Sequence, residues 1–172
     1  RTWTILVLTL IFVSCDKQPI GPEGPDPYIP PPPGTYMTMA ELKALYPNNG
    51  LDFTIPAGTK KVLGVVISNS QNEAAGNVRI QDENGGGLYL YTAIGSPNYA
   101  IGDILEVDAA GSGVFTIWNG DLELKNVPQA KVVLKSGTMA VSPRVATAAE
   151  IISNRTLWSS SLVKINNVTS IT

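Results

Sequence analysis

The residues that most often carry out chemistry in proteins are scarce in this chain. It contains no histidine and one cysteine among 172 residues. Histidine is the commonest general base and the commonest metal ligand, so most familiar acid–base and metal sites are excluded. A single cysteine also excludes an intramolecular disulfide and any zinc site built from several thiolates. We therefore expect a protein without catalytic residues and without a cofactor.

Two groups of acidic residues invite a test for metal or glycosidase chemistry. Asp82 and Asn84 in "DENGGG" match the opening of a calcium loop, but no bidentate Glu follows, so we predict a hairpin turn instead. Asp103 and Glu106 have opposite parity on a predicted strand and would point to opposite faces of a sheet. They cannot form the paired carboxylates of a glycosidase by position alone, and we predict no metal site.

Three aromatic residues form the candidate binding site. Tyr89 and Tyr91 have the same parity on a predicted strand and so share one face of it. Together with Trp118 they would make a platform for a sugar ring or a base, and stacking of this kind contributes about 1–3 kcal/mol per base. The alternative is that these side chains cover the outside of the fold or one end of its core.

The charge of the chain argues against a nucleic-acid partner. The formal net charge is −2, and charged residues make up only 15% of the sequence. Between residues 60 and 127, eight acidic residues stand against four basic ones, a balance that repels phosphates. A composition poor in charge and rich in Gly, Ser, Thr and Asn is typical of an extracytoplasmic β-protein.

The cysteine, Cys15, follows an apolar run at residues 3–13. A run of this length is shorter than the roughly 20 residues that span a bilayer, and it matches the hydrophobic region of a secretory signal. The sequence "FVSC" resembles a bacterial lipobox, although Phe12 stands where Leu is usual. We expect residues 1–14 to be a lipoprotein signal peptide and Cys15 to carry the lipid. A plain secretory signal with a chance cysteine is the alternative.

A proline-rich stretch follows the cysteine. Residues 15–35 contain prolines at 19, 22, 25, 27 and 30–33, which favour extended polyproline II at about 3.1 Å per residue. We predict a lipid-anchored tether that holds a domain away from the membrane. The expected location is the bacterial outer membrane, with the domain exposed at the cell surface. Because the chain begins with Arg1 rather than Met, we also expect a fragment of a longer surface protein.

Residues 36–144 carry the pattern of a mainly β domain. Thr38-x-x-Glu41 is a capping box and predicts one short helix. Beyond it we predict about five short strands, separated by turns such as Asn119-Gly120. Gly64, inside the first of these strands, suggests a bend. A small closed barrel would follow, with an open sandwich as the alternative.

The order of several short motifs resembles a known family. "VLGVVISN", "GNVRIQDENGGGLYLY" and "GDILEV", followed by "LEL", are similar to the OB-fold domain of unknown function found in Bacteroidetes cell-surface lipoproteins. The resemblance covers about residues 36–135. It implies an OB-like β-barrel with one or two short helices and a surface location, and it implies no chemistry. The same strand rhythm occurs in OB-folds attached to extracellular nucleases.

The end of the chain repeats the start of the domain. Thr147-x-x-Glu150 copies the capping box of Thr38-x-x-Glu41, and an apolar stretch follows each. We predict that residues 145–172 form a helix and a strand that begin a truncated second copy. The alternative is that they complete the first barrel.

These observations favour a non-catalytic OB-fold module that binds a ligand or acts as a spacer in a cell-envelope lipoprotein. Its expected partners are the membrane, through the lipid anchor, and a glycan or surface protein. A carbohydrate-binding module that uses Tyr89, Tyr91 and Trp118 is one alternative. An accessory domain of an extracellular nuclease is another.

Overall fold

The computed structural model describes residues 26–93, 95 and 97–168. Three short helices occur in this part of the chain: α1 (Met39–Ala44), α2 (Ala148–Ser153) and α3 (Arg155–Trp158). The strands of the same part are β1 (Phe53–Thr54), β2 (Val62–Val66), β3 (Asn77–Gln81), β4 (Gly87–Tyr91), β5 (Ile104–Val107), β6 (Val114–Trp118), β7 (Asp121–Lys125), β8 (Val132–Lys135), β9 (Arg144–Val145) and β10 (Val163–Lys164). The prediction of a mainly β protein with short helices is therefore confirmed.

Eight of the described strands form one mixed sheet in the order β1-β6-β7-β4-β3-β2-β5-β8. All neighbours are antiparallel except β4 and β7, which run parallel. The prediction of a closed barrel with about five strands is wrong. Strand β7 has β4 on one edge and β6 on the other, so it cannot close the sheet onto β5 or β8. Closure would need β1, and β1 has only two residues.

One side of the sheet packs around the main apolar core. Strands β2 to β8 all contribute to this core, and so does the buried side of α1. The largest fully buried side chains include Phe115, Met39, Leu42, Ile80 and Leu90. Because side chains alternate across a strand, the residues between these positions point outward and form a second, opposite face.

Gly64 does not introduce a bulge into β2. The register of β2 with β5 is continuous through Gly64. A Cβ built on Gly64 would lie 2.3 Å from the Cε atom of Met39 and 3.1 Å from the backbone oxygen of Gln81. The glycine therefore serves close packing, because it leaves room for α1 to insert Met39 against the middle of the sheet.

The turn between β3 and β4 is fastened to α1 by a buried carboxylate. Asp82 is 5% exposed. One of its oxygens, Oδ2, accepts the Met39 N–H at 2.7 Å, and the other, Oδ1, accepts the Gly86 N–H at 2.8 Å. The predicted hairpin is confirmed, and each Asp82 oxygen accepts a backbone hydrogen bond within the fold.

A second small apolar cluster lies on the outer side of β2 and β5. Leu63, Val65 and Ile104 form it, and Tyr28 packs against it. The backbone N–H of Tyr28 donates to the Thr138 oxygen at 2.9 Å. The described end of the predicted tether therefore lies against the domain, whereas residues 1–25 are outside the described part of the chain.

The C-terminal segment, residues 142–164, packs on the outer side of β3 and β4. The Gln81 side chain donates to the Ser142 oxygen at 3.0 Å and accepts the Leu162 N–H at 2.6 Å. A Cβ on Gly87 would lie 2.0 Å from the Ser160 oxygen, so only glycine permits this approach. The buried Lys43 also donates to the Ser159 oxygen at 2.8 Å, and burial lowers its pKa to about 8.

The two parts of the predicted repeat form matching hydrogen bonds around their capping threonines. Thr38 and Glu41 form a capping box at α1, and Thr147 and Glu150 form the same box at α2. The residue directly before each capping threonine donates its N–H to a lysine oxygen further along the chain, at 3.0 Å in both places. The strand of the second unit, β10, pairs with β9 and not with the large sheet. A second copy of the domain stays a prediction, now with a matching local geometry.

The Asp82 contacts yield a stability prediction. Replacement of Asp82 by Ala leaves two buried N–H groups without partners, and we expect a loss of about 2–4 kcal/mol in the free energy of unfolding. The measurement is urea denaturation followed by circular dichroism. Glu83→Ala is the matched control, because Glu83 is the exposed neighbour in the same turn and should change stability by less than about 0.5 kcal/mol. Equal urea midpoints for the two variants would contradict this role of Asp82.

Candidate functional site

The candidate site lies on the outer side of β3, β4, β7 and β6, which we call the outer face. In β4, Leu88 and Leu90 point into the core, so Tyr89 and Tyr91 point outward. The outward residues of the other strands follow from the same alternation and are Asn77, Arg79, Glu123, Lys125, Thr116 and Trp118. Polar and aromatic side chains thus share one sheet surface.

Strand register sets the arrangement of this face. Glu123 in β7 lies opposite Thr116 in β6 and beside Tyr89 in β4. Trp118 pairs with Asp121 at the end of the β6–β7 hairpin. Strand β7 lies between β6 and β4 in the sheet, and neighbouring strands are about 4.8 Å apart. Glu123 therefore sits between the strand that carries Tyr91 and the strand that carries Trp118.

The β6–β7 turn holds Trp118 in place. Asn119 and Gly120 both adopt positive φ, at 51° and 86°. Two positive φ values are the signature of the tight I′ turn predicted from the Asn-Gly sequence, and this turn matches the natural twist of a two-strand hairpin. Trp118 is therefore fixed directly before a rigid turn, and 56% of it is exposed to solvent.

Tyr91 and Trp118 line one open groove of about 330 Å³. Thr116 and Glu123 also line it, together with Lys125 and two alanines of the loop before β3. The groove therefore combines two aromatic side chains with a small number of polar groups. This combination is typical of sites for small ligands.

Tyr89, the third predicted aromatic, is placed differently. It is 6% exposed, and the guanidinium of Arg79 lies 4.2 Å from the centre of its ring. Its hydroxyl is hydrogen-bonded to the side chain of Asn77. One ring face is therefore covered, and the structure joins only Tyr91 and Trp118 as aromatic groups available in the groove.

Arg79 connects the outer face with the C-terminal segment. Its guanidinium lies 3.0 Å from the Glu73 carboxylate and 3.7 Å from that of Asp121. It also donates to the Ser160 hydroxyl at 2.7 Å. These contacts hold the arginine over Tyr89 and away from the open part of the groove.

Glu123 is the unusual residue of the groove. It is 6% exposed, and within the described part of the chain its carboxylate makes no hydrogen bond and no ion pair. Burial raises the pKa of Glu123, because loss of water disfavours the charged form, while the charges of Lys125 and Arg79 oppose this rise. Loss of water from a carboxylate without a partner costs free energy, so Glu123 does not stabilise the fold and is a candidate to contact a ligand in the open groove.

Lys125, which lines the groove, belongs to an ion pair. Lys125 lies 3.0 Å from the Asp52 carboxylate. Hydrogen bonds from Thr116 and Lys125 lower the pKa of Asp52. The ammonium of Lys125 is thus already paired with an acidic group.

The acidic residues considered for catalysis are used elsewhere. Glu106 is hydrogen-bonded to the Tyr36 hydroxyl and forms an ion pair with Lys61 at 2.8 Å. Asp103 accepts the Ala100 N–H at 2.8 Å. Neither residue lies in the groove, and no group of three or more metal-ligating side chains occurs among the residues that the structure describes.

Comparison of the chain with models of protein families, with curated proteins and with solved structures finds no match. The resemblance to the OB-fold family of surface lipoproteins therefore stays a prediction. No helix in the described ranges is both long and apolar enough to cross a membrane. Cys15, the predicted site of lipid attachment, lies outside those ranges.

Sequence reasoning missed Glu123, the central residue of the groove. The pattern "DLELK" contains the signal, because Glu123 stands between Leu122 and Leu124 and must therefore point away from the core. Its place in the same groove as Tyr91 depends on the parallel pairing of β4 with β7. That pairing joins residues more than thirty positions apart, and periodicity within one strand cannot reveal it.

Glu123 generates a pH-dependent stability prediction. Its pKa is higher in the folded than in the unfolded chain, so ionisation of Glu123 destabilises the fold as the pH rises above the ordinary value of 4.5. Glu123→Gln keeps the shape without the charge. We expect this variant to have a higher Tm than the unmodified protein at pH 7 and an equal Tm below pH 4.5.

The control for this experiment is Glu83→Gln, which removes one negative charge from an exposed turn. We expect the Tm of this control to follow that of the unmodified protein throughout the titration. If Glu123→Gln is less stable than the unmodified protein at pH 7, the carboxylate has a stabilising partner, contrary to this description.

Proposed function

We propose that this chain is a non-catalytic binding module of a bacterial cell-envelope lipoprotein, held at the outer membrane by a lipid on Cys15. The observation that carries the binding role is the open groove in which Tyr91 and Trp118 flank the buried Glu123. A domain that acts only as a spacer has no need to keep a buried carboxylate unpaired beside an exposed tryptophan.

The strand order supports an OB-like arrangement that is open rather than closed. Strands β2, β3 and β4 follow one another as antiparallel neighbours, β5 returns to the free edge of β2, and β7 pairs parallel with β4. The OB-fold is a partly open five-stranded barrel that binds oligonucleotides and oligosaccharides on the face of its second and third strands. With β2 as the first strand, the groove lies on that same face.

The charge of the outer face favours a glycan over a nucleic acid. Glu123 lies at the base of the groove, and the two basic side chains nearest to it, Arg79 and Lys125, are each paired with carboxylates. A phosphate backbone would therefore meet a negative group without a free cation to offset it. This argues for the carbohydrate-binding alternative and against an accessory domain of a nuclease.

The lipid anchor is tested by metabolic labelling with palmitate in a bacterial host. We expect label in the unmodified protein and none in Cys15→Ala, because the thiol is the site of acylation. Ser14→Ala is the matched control, since it keeps a small residue before the cysteine and should retain the label. The lipid anchor would be contradicted if Cys15→Ala still carried the palmitate label. It would also be contradicted if the unmodified protein and both variants were all recovered in the soluble fraction.

The binding role is tested on an array of bacterial and plant glycans, peptides and single-stranded oligonucleotides. We expect the protein to bind at least one class of probe and the Tyr91→Ala/Trp118→Ala variant to lose that binding. Leu134→Ala is the control, because Leu134 is equally exposed at 57% but lies on β8, away from the groove. Binding that survives the double substitution, or no binding by a folded parent protein, would favour the spacer.

A further inference from the structure

Resting on the binding role proposed above, we infer that the groove takes a neutral oligosaccharide, whose hydroxyl groups donate hydrogen bonds to the Glu123 carboxylate while a sugar ring stacks against Trp118. The carboxylate favours a ligand with two neighbouring hydroxyl groups, and the aromatic side chains favour a ligand with a sugar ring. Three properties of the groove lead to this ligand class: the acceptor at its base, the aromatic groups beside it and the balance of charge around it.

The first property is a hydrogen-bond acceptor without a donor. Ionised carboxylates accept hydrogen bonds at two oxygens and donate none. Glu123 is only 6% exposed and has no donor among the described residues, so its oxygens remain available to a ligand. A ligand that brings two hydroxyl groups would satisfy both oxygens at once, and this replaces the solvation that burial has removed.

The second property is a pair of aromatic side chains on rigid supports. Tyr91 belongs to β4, which is paired on both sides, and Trp118 directly precedes a tight turn. Neither side chain needs a large backbone change to meet a ligand, which limits the entropy lost on binding. The exposed indole offers an apolar face and one N–H donor, a combination suited to a ring that is apolar on its faces and polar at its edges.

The third property is a balance of charge that disfavours both kinds of ion. Glu123 repels an anionic ligand such as a uronate or a phosphate. A lysine or arginine side chain would gain little at Glu123, because Arg79 and Lys125 already offset part of its charge and the ligand's own charge would have to lose water to reach it. Asp52 engages Lys125 and Glu73 engages Arg79, so neither cation is free to recruit an anion. A neutral ligand avoids both penalties.

The test is isothermal titration calorimetry at pH 7 with the full chain. The neutral probes are cellohexaose, maltohexaose, mannohexaose and xylohexaose, the anionic probe is hexagalacturonate, and the cationic probe is a trilysine peptide. We expect at least one neutral probe to bind more tightly than both charged probes. We expect Glu123→Leu to weaken that binding about tenfold or more, because a charged acceptor is lost.

Two further variants keep the result interpretable. Glu123→Gln retains one acceptor oxygen and the shape of the side chain, so we expect a loss smaller than that of Glu123→Leu. Glu83→Gln removes an exposed carboxylate of the β3–β4 turn and should bind like the unmodified protein. Circular dichroism of each variant establishes that it is folded, and Glu123→Gln carries the test if Glu123→Leu does not fold.

The outcomes separate this inference from the binding role on which it rests. The inference is overturned if the protein prefers a charged probe, or if both Glu123 variants bind as the unmodified protein does. In either case the binding role survives if Tyr91→Ala/Trp118→Ala abolishes binding of the preferred probe. Absence of binding by every neutral probe also overturns the inference. If no probe of any class depends on Trp118, both proposals fall together.

Discussion

The parallel pairing of β4 with β7 is the constraint on which the rest of the structure depends. It joins two antiparallel units, the β2–β3–β4 meander and the β6–β7 hairpin, into one sheet. On the inner side this pairing aligns Leu90 with Leu124 in the core, and on the outer side it places Tyr89 beside Glu123. The same register therefore brings together side chains of the core and side chains of the groove. A one-residue slip would turn both sets of side chains to the wrong face.

Polar contacts, unlike those of the core, hold β3, its turn and the ring of Tyr89 in position. Asp82 links the β3–β4 turn to α1, Gln81 links β3 to the C-terminal segment, and Arg79 fixes the ring of Tyr89. Each of these groups has partners, so each contributes to the position of the strands. Glu123 is the exception on this face. It has no hydrogen-bond or ion-pair partner among the described residues, and burial raises the pKa of this groove-lining carboxylate.

Local features of this fold could be predicted from the sequence, whereas its long-range pairings could not. The capping boxes at Thr38 and Thr147 and the Asn119-Gly120 turn depend on residues within four positions of one another, and all three form as expected. The prediction of a closed barrel was wrong because closure depends on which strand edges remain free after β6 has paired with β7 and β1 with β6. Gly64 illustrates the same limit: a strand glycine can mark a bend or a close contact, and the close contact found here is with Met39, 25 positions away. Of the candidate site, parity placed Tyr89 and Tyr91 on one face, and Trp118 was added as a third aromatic residue. The burial of Tyr89 and the central place of Glu123 required the pairing of β4 with β7.

The central claim is that a ligand occupies the groove between Tyr91 and Trp118 and contacts Glu123. The most direct measurement is nuclear magnetic resonance of the full chain during titration with the neutral oligosaccharide that binds most tightly. We predict nuclear Overhauser effects from sugar ring protons to the Trp118 indole and a change in the carboxyl ¹³C shift of Glu123. Contacts confined to other surfaces, such as the exposed side of β8 around Leu134, with the Trp118 and Glu123 signals unmoved, would contradict it.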